Sequence, residues 1–286
     1  MKYLFSNNIN NKEGFSLIEL SIVLIIVGLL VAGTTSGLAL VRTARISYGK
    51  KLAYNFSLEF EVSIPTPVLW LDANDNSTVV TDSDDNVSKW SDKSRSGNDA
   101  SQTNSSYQPI HILNGLNGRP AIRFDGLNDL LISTVDLRNT ISPNLTIFVV
   151  FQYNTENSGI FGNDNGGWDR FMMTNFLTYA GDTVVSYANT AGPMRYSPES
   201  AATPHLSRIE YTATTNEVWS DGLQKDTAGA VNAGTGTSTT AIGAIAIVGS
   251  YPLDGNIAEM IIFEETLDTI QVQLVEEYLN KKWQIY

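Results

Sequence analysis

Glu19 is the first residue whose chemistry asks for a partner. The chain reads Gly14-Phe15-Ser16-Leu17-Ile18-Glu19, and the 22 residues from Leu20 to Val41 carry no charge. As a helix that run would span roughly 33 Å, enough to cross the hydrocarbon core of a bilayer. A carboxylate inside such a segment costs about 2.5–3.5 kcal/mol on insertion, so it needs a counter-charge. Hard oxygen ligands gather in two other places. Seven Asp lie between Asp72 and Asp99, and Asn163-Asp164-Asn165-Gly166-Gly167-Trp168-Asp169 forms a second acidic cluster. Asp72-Ala73-Asn74-Asp75-Asn76 opens like an EF-hand loop, but Ser77 replaces the turn glycine and Ser83 the closing glutamate, which rules that loop out. Two readings fit both clusters. They are solvated turns, or they hold calcium through Asp72, Asn74 and Asp75, or through Asp164 and Asp169. In the first case ligand recognition would rest on loop aromatics such as Trp168.

Catalytic patterns are missing. Glycoside hydrolysis needs two carboxylates at a fixed separation, whereas Glu210, Glu217 and Glu259 each stand alone in an apolar run. There is no Gly-x-Ser-x-Gly elbow, and His111 and His205 are the only histidines. The chain is expected not to be an enzyme and to require no cofactor.

The order Gly14, Phe15, three residues, then Glu19 resembles the type IV pilin and pseudopilin signature, from Gly14 to about Val41. That resemblance implies cleavage by prepilin peptidase between Gly14 and Phe15, followed by methylation of Phe15. It also implies a single-pass protein of the bacterial inner membrane, with its head periplasmic or extracellular, that joins other pilin subunits in a filament. Glu19, four residues beyond the new N-terminus, would pair with a neighbour's ammonium group during assembly. A plain signal anchor would explain the apolar run, which is too long for a cleaved secretory signal, and neither explains Glu19. Glu13 departs mildly from the basic leaders of the family, although Lys2 and Lys12 are present. The basic residues Arg42, Arg45, Lys50 and Lys51 make the positive-inside rule ambiguous, so the orientation follows the resemblance.

The rest of the chain must form the elements that carry such a head. At 286 residues with no cysteine, it has room for a stalk and one domain without disulfides. A formal net charge of -12 repels phosphate backbones and excludes nucleic acid as a partner. Leu52, Phe56 and Phe60 continue a helical stripe, weakened by Gly49 and ended by Pro65-Thr66-Pro67. Beyond it, short apolar runs between Gly, Asn, Asp and Ser clusters predict strands. They are Val68–Leu71, Ala121–Phe124, Leu130–Ser133, Leu145–Tyr153, Thr183–Ala188, Ser207–Ala213, Glu217–Ser220, Ala241–Val248 and Ile257–Phe263. Asp221-Gly222 signals a hairpin, and residues 228–240 read as an exposed loop. A last helix begins with Asp268 and Gln271 as a capping box. Its apolar stripe is Ile270, Leu274 and Tyr278 beside Val275, Leu279 and Trp283, and Lys281 and Lys282 face the helix dipole.

Three blocks resemble the laminin-G-like, concanavalin A-type jelly-roll family. The first joins Leu69-Trp70-Leu71-Asp72-Ala73 to Trp90-Ser91-Asp92-Lys93-Ser94 and Asn98-Asp99-Ala100. The second is Asn117 to Gly126, and the third runs from Gly255 through Glu259 to Phe263, followed by Tyr278 to Trp283. Trp70, Trp90, Phe124 and Trp283 read as core. The fold expected is mainly β: a leader over 1–14, a transmembrane helix over 15–41, its stalk continuation over 42–64, and an antiparallel β-sandwich with a C-terminal helix over 65–286. The function expected is that of a minor pilin or pseudopilin-like subunit displaying the head to a glycan or protein. Its alternatives are an assembly-priming pseudopilin of a type II secretion system and, more remotely, a membrane-anchored glycan hydrolase.

Overall fold

The computed structural model describes residues 17–137, 144–165, 172–175, 183–185, 194–196, 200–212, 214–229, 236–246 and 250–286. The fold is mainly β, with antiparallel sheets between an N-terminal and a C-terminal helix. Two compact units are present, Met1–Ala44 and Arg45–Tyr286.

In the first unit the described backbone belongs to helix α1, whose full span is Leu17–Ser57. Leu20, Ile22, Val23, Leu24, Ile25, Ile26 and Val27 are exposed, as are Leu38, Leu40 and Val41. An exposed apolar run of that size marks a surface made for lipid or for another protein. Among the described residues no helix is long and apolar enough to cross a membrane. The uncharged run includes residues 29–36, whose side chains lie outside the described ones.

The second unit is a β-sandwich with a helical layer on one face. In chain order its strands are β1 (Leu69–Asp72), β2 (Val79–Thr81), β3 (Val87–Trp90), β4 (Ala100–Ser101), β5 (Ile110–Leu116) and β6 (Arg119–Asp125). There follow β7 (Leu131–Ser133), β8 (Leu145–Tyr153), β9 (Gly159–Gly162), β10 (Met172–Asn175), β11 (Thr183–Val185) and β12 (Met194–Tyr196). The last are β13 (His205–Tyr211), β14 (Thr215–Ser220), β15 (Leu223–Gly229), β16 (Thr240–Ile242) and β17 (Asp254–Phe263), before helix α2 (Thr269–Trp283). One sheet runs β15-β14-β13-β8-β17-β6-β5, and the other β12-β11-β10-β9-β16-β7-β4-β3-β2. In the first sheet β6 pairs with Asp254–Ile257 of β17 and β1 with Glu259–Ile262, so the two share one edge of that strand.

Burial on both faces explains why β8 is a continuous apolar run rather than an alternating one. Leu145, Ile147, Val149 and Phe151 enter the core between the sheets, with Leu131, Phe161 and Ile242 of the second sheet among their neighbours. Phe148 and Val150 point the other way, into a second core shared with Ala53, Phe56, Val275, Leu279 and Trp283. Trp70, Trp90, Phe124 and Trp283 are all buried, as the sequence predicts.

Several boundaries differ from expectation. Helix α1 ends at Ser57, before Pro65, and Ala53, Phe56 and Ile64 are core residues of the second unit. That unit therefore begins at Arg45, where the sequence suggested residue 65. Gly49, read as a weak point of the helix, is a close-packing position, since a Cβ there would lie 2.6 Å from the Asn74 amide nitrogen. Strands at 69–72, 119–125, 131–133, 145–153, 205–211, 215–220 and 254–263 match predicted runs to within a few residues. Among the described residues of the run at Ala241–Val248 only Ala241 and Ile242 are in a strand, as part of β16. Of Thr183–Ala188 the strand covers Thr183–Val185, the other three lying outside the described residues. Residues 228–240 are not wholly a loop, because β15 continues to Gly229 and Thr240 is buried in β16. Asp221 (φ 50°) and Gly222 (φ 76°) make the expected hairpin turn, both left-handed. Asp268 caps α2 with the predicted box. In that helix the predicted stripe is buried at Val275, Tyr278, Leu279 and Trp283, but Ile270 is 68% exposed and Lys282 is buried with the stripe.

Candidate functional site

The first and third signature blocks meet in a buried polar cluster beneath α2. Strand alternation places Asp72 on the face of β1 that carries Trp70, toward the helices. A bulge in β17 between Ile257 and Glu259 does the same for Glu259. Ile257 and Met260 face the sheet–sheet core while Ala258 and Ile261 face the helices. The extra residue of the bulge thus turns Glu259 to the helical side, where strict alternation from Ile257 would have faced it inward. Asp72 and Glu259 are cross-strand partners, and Lys282 descends on them from α2.

Lys282 Nζ lies 2.7 Å from Asp72 Oδ1 and 2.8 Å from Glu259 Oε2, and all three side chains are fully buried. Glu259 Oε1 accepts from the Trp70 indole at 2.7 Å and from the Tyr278 hydroxyl at 2.5 Å. Its Oε2 also accepts from the Trp283 indole at 2.6 Å. Asp72 Oδ2 takes Lys93 Nζ at 2.8 Å, and Oδ1 also accepts the Asn74 backbone N–H at 3.0 Å. Every donor thus finds an acceptor, which a buried ionic cluster needs if it is not to be strongly destabilising. Burial pushes the Asp72 carboxyl up, but the charges of Lys282 and Lys93 together hold it below its ordinary value. Burial also raises Glu259, which has Lys282 alone as a close cation and the Asp72 carboxylate as a neighbour, so it stays above its ordinary value. Tyr278 is raised well above the usual phenol range, first by burial and then by the Glu259 charge.

In this arrangement protein partners occupy the side chains of Asp72, Asn74 and Asp75, read from the sequence as candidate calcium ligands. Ammonium groups hold both Asp72 oxygens, and the Asn74 amide donates to Ile46 O at 3.0 Å. Asp75 bridges Lys50 at 3.2 Å and Lys93 at 3.3 Å. Other aspartates of the run serve turns: Asp82 accepts from the backbone of Asp84 and Asn86, and Asp92 from that of Trp70, Ser94 and Asn98. Among the described residues no three His, Cys, Asp or Glu are arranged to hold a metal. Asp164 is buried, with its N–H donating to Ile245 O. Asp169 and Trp168 lie outside the described residues, as do Gly14 and Phe15, and Glu19 is described only as a backbone position in α1.

Beside the cluster a cleft of about 620 Å³ opens, lined by Lys50, Tyr54, Phe60, Trp70, Asp75 and Arg95 among others. Lys93 sits 4.5 Å from the Trp70 ring centroid at its floor. Such a mixture of aromatic faces and both charge signs suits a polar ligand with stacking surfaces. His205 makes a separate constellation: Nδ1 meets Asp221 Oδ2 at 2.8 Å and Nε2 meets the Thr203 hydroxyl at 2.9 Å. The Thr203 hydroxyl donates to Ser200 O at 2.5 Å, and Asp221 also accepts the Leu206 N–H at 2.9 Å. The group clamps the start of β13 to the β14–β15 turn.

Sequence reasoning missed Glu259, Lys282, Lys93 and Tyr278 as a group. The available signals were a single acid inside the apolar run Ile257–Phe263 and a lysine four residues after Tyr278 on a buried helix stripe.

Residues 9–35 match the family described as the prokaryotic N-terminal methylation motif. The chain therefore carries a prepilin-type N-terminus. The motif is that of type IV pilins and pseudopilins, and it implies processing by prepilin peptidase, membrane anchoring and assembly with other pilins. No curated protein matches the chain. Among solved structures, the second unit's fold is similar to that of an arabinofuranosidase complexed with arabinofuranosyl-α-1,2-xylobiose, with TM-score 0.54 and 14% identity over 69% of this chain and 51% of that one. A mutant GH54 α-L-arabinofuranosidase gives TM-score 0.53 and 13% identity over the same shares. A Trypanosoma rangeli sialidase in complex with sialic acid gives TM-score 0.49 and 13% identity over 76% of this chain and 34% of that one. The chain spans about half the length of the arabinofuranosidases it matches. At these identities the likeness is one of fold, and it is not specific to laminin-G domains.

Proposed function

We propose that this chain is a minor type IV pilin or pseudopilin-like subunit whose laminin-G-like, concanavalin A-type head is displayed for adhesion or ligand binding without catalysis. The methylation motif at residues 9–35, with Glu19 five residues after Gly14, is the observation that carries the reading. The exposed apolar run of α1 supports it, because such a surface has to be covered by lipid before assembly and by neighbouring helices afterwards. A head of this size would obstruct tight repetition along a fibre, which favours a tip or low-abundance position.

The laminin-G-like part of the reading is supported by the way the first and third sequence blocks converge on one cluster. A non-catalytic head fits the state of its buried acids, since Asp72 and Glu259 spend their oxygens on donors within the protein. The cleft beside Trp70 is the ligand site we favour, and arabino-oligosaccharides are suitable first probes.

The test is mass spectrometry of the N-terminal peptide from native membranes, together with immunoblotting of sheared filaments. A methylated Phe15 and recovery in the filament fraction are expected. An intact leader, or a cut near Ala39, overturns the assignment. For the head, residues 45–286 are titrated with arabino-oligosaccharides and screened on a glycan array, and Tyr54→Ala should abolish any binding that uses the cleft.

A further inference from the structure

Asp72, Glu259 and Lys282 do more than balance charge. The ammonium of Lys282 is held 2.7 Å from one carboxylate and 2.8 Å from another, in a fully buried site walled by Trp70, Tyr278 and Trp283. We propose that Lys282 and Asp72 condense into an intramolecular isopeptide bond, with Glu259 carrying the protons, so that the first strand of the head is joined covalently to its last helix.

The atoms balance without any co-reactant. A proton passes from the Lys282 ammonium to the Asp72 carboxylate, which turns the ion pair into a neutral amine and a neutral acid. The amine lone pair attacks Asp72 Cγ and forms the new C–N bond. Glu259 takes a second proton from that nitrogen and delivers it to the departing Asp72 hydroxyl. The C–O bond breaks, one water leaves, and Glu259 returns to its starting state. One positive and one negative charge vanish together, so the cluster stays balanced.

Four features favour this step over a permanent salt bridge. Held in contact, the two groups react with an effective molarity that reaches about 10⁵–10⁸ M in well-oriented intramolecular reactions. Burial removes the solvent that stabilises the ionised pair and drives amide hydrolysis, and a neutral amide escapes the desolvation cost of buried ions. Lys93 Nζ at 2.8 Å from Asp72 Oδ2 places a positive charge where the tetrahedral oxyanion develops. Glu259 is fixed by the indoles of Trp70 and Trp283 and by the Tyr278 hydroxyl, as a proton carrier has to be. These three donors also mark Asp72, not Glu259, as the carbon attacked. Cysteine is absent from the chain, so no disulfide can make the same connection across 210 residues.

The test is the intact mass of the full-length protein under denaturing conditions, followed by peptide mapping. The wild-type protein should be lighter than its linear sequence by one water, and digestion should release one branched peptide linking Asp72 to Lys282. Lys282→Arg and the near-isosteric Glu259→Gln should each keep the linear mass, with folding checked by circular dichroism. A wild-type mass equal to the linear sequence overturns the proposal, and so does a free Lys282 peptide or one linked to Glu259. Full water loss in Glu259→Gln overturns the role given to Glu259. The wild-type measurement needs no variant, so a variant that fails to fold does not blunt the test.

Discussion

Phe56 stacks face to face on Tyr278, with ring centroids 4.1 Å apart and planes 2° from parallel. The same phenylalanine meets Trp70 edge-on at 5.6 Å. The C-terminal part of α1 is thus a packed element of the head, joined to β1 and α2 by aromatic contacts. Phe56→Ala in a fragment spanning residues 45–286 should lower stability by about 3–5 kcal/mol, the usual cost of removing a buried phenylalanine. Urea denaturation reads the change. A fragment starting at residue 65 should melt well below one starting at 45, because it lacks Ala53, Phe56 and Ile64. Equal melting temperatures would show that the helix only rests on the sandwich.

Glu19→Ala removes a charge that is costly in lipid and should leave membrane insertion unchanged, while reducing recovery in sheared filaments. The pairing it would make exists only after cleavage, because the Phe15 nitrogen is a neutral amide until then. Gly14→Leu should block cleavage and leave the leader attached, visible as a slower band and an unmethylated peptide. Wild-type filament levels of Glu19→Ala would remove the charge pair from the assembly step.

Lys282→Met removes the partner of the ion pair from which the amide forms, and leaves Asp72 and Glu259 facing each other as buried acids. Breaking a buried pair from one side typically costs about 3–5 kcal/mol, and that is the loss expected in chemical denaturation at pH 7. The deficit should shrink as pH falls, since protonation removes the repulsion between the two carboxylates. A variant equally destabilised at pH 4 and pH 7 would place the cost in lost packing instead.

The apolar periodicity of the sequence was enough to locate the strands that build the cores. Leu145–Tyr153 and Ile257–Phe263 are long runs buried on both faces, the first legible to the residue and the second to within three residues of its strand's start. Short strands such as Val79–Thr81 and Ala100–Ser101 were not, because two or three residues among Asp and Asn carry no period to read. The capping box at Asp268 and the turn at Asp221-Gly222 were visible because their chemistry is local. The ion cluster was not, because Asp72 and Lys282 are 210 residues apart and a bulge, invisible in composition, turns Glu259 toward them. The same distance explains why Asp72 read as a cation ligand, since its partners lie in other elements. Lys282 looked like a dipole-facing surface residue for the same reason.

Asp129 gives the head a second pH dependence outside the cluster. It is 6% exposed, and its Oδ2 accepts the Asp125 N–H at 3.0 Å. Burial, and then the Asp125 carboxylate, push its pKa up to about 6 against that hydrogen bond. A carboxyl whose folded pKa lies above its unfolded value of 3.8 contributes stability that is complete below the unfolded pKa. That contribution is lost as pH rises through the folded one. Between about pH 4 and 7 this group should cost the wild-type head on the order of 1–2 kcal/mol, discounted from the full shift for partial solvent screening. Asp129→Asn keeps an oxygen for the Asp125 N–H without the charge, so it should be more stable than wild type at pH 7 and nearly equal to it at pH 4. His111 works in the opposite sense. Burial lowers its pKa despite the hydrogen bond to Ala73 O at 3.0 Å, so its contribution is present above about 6.5 and lost as pH falls. Measuring melting temperature against pH for Asp129→Asn in a His111→Gln background separates the two. If Asp129→Asn shifts the curve by the same amount at every pH, Asp129 is ionised throughout and its burial does not set its charge.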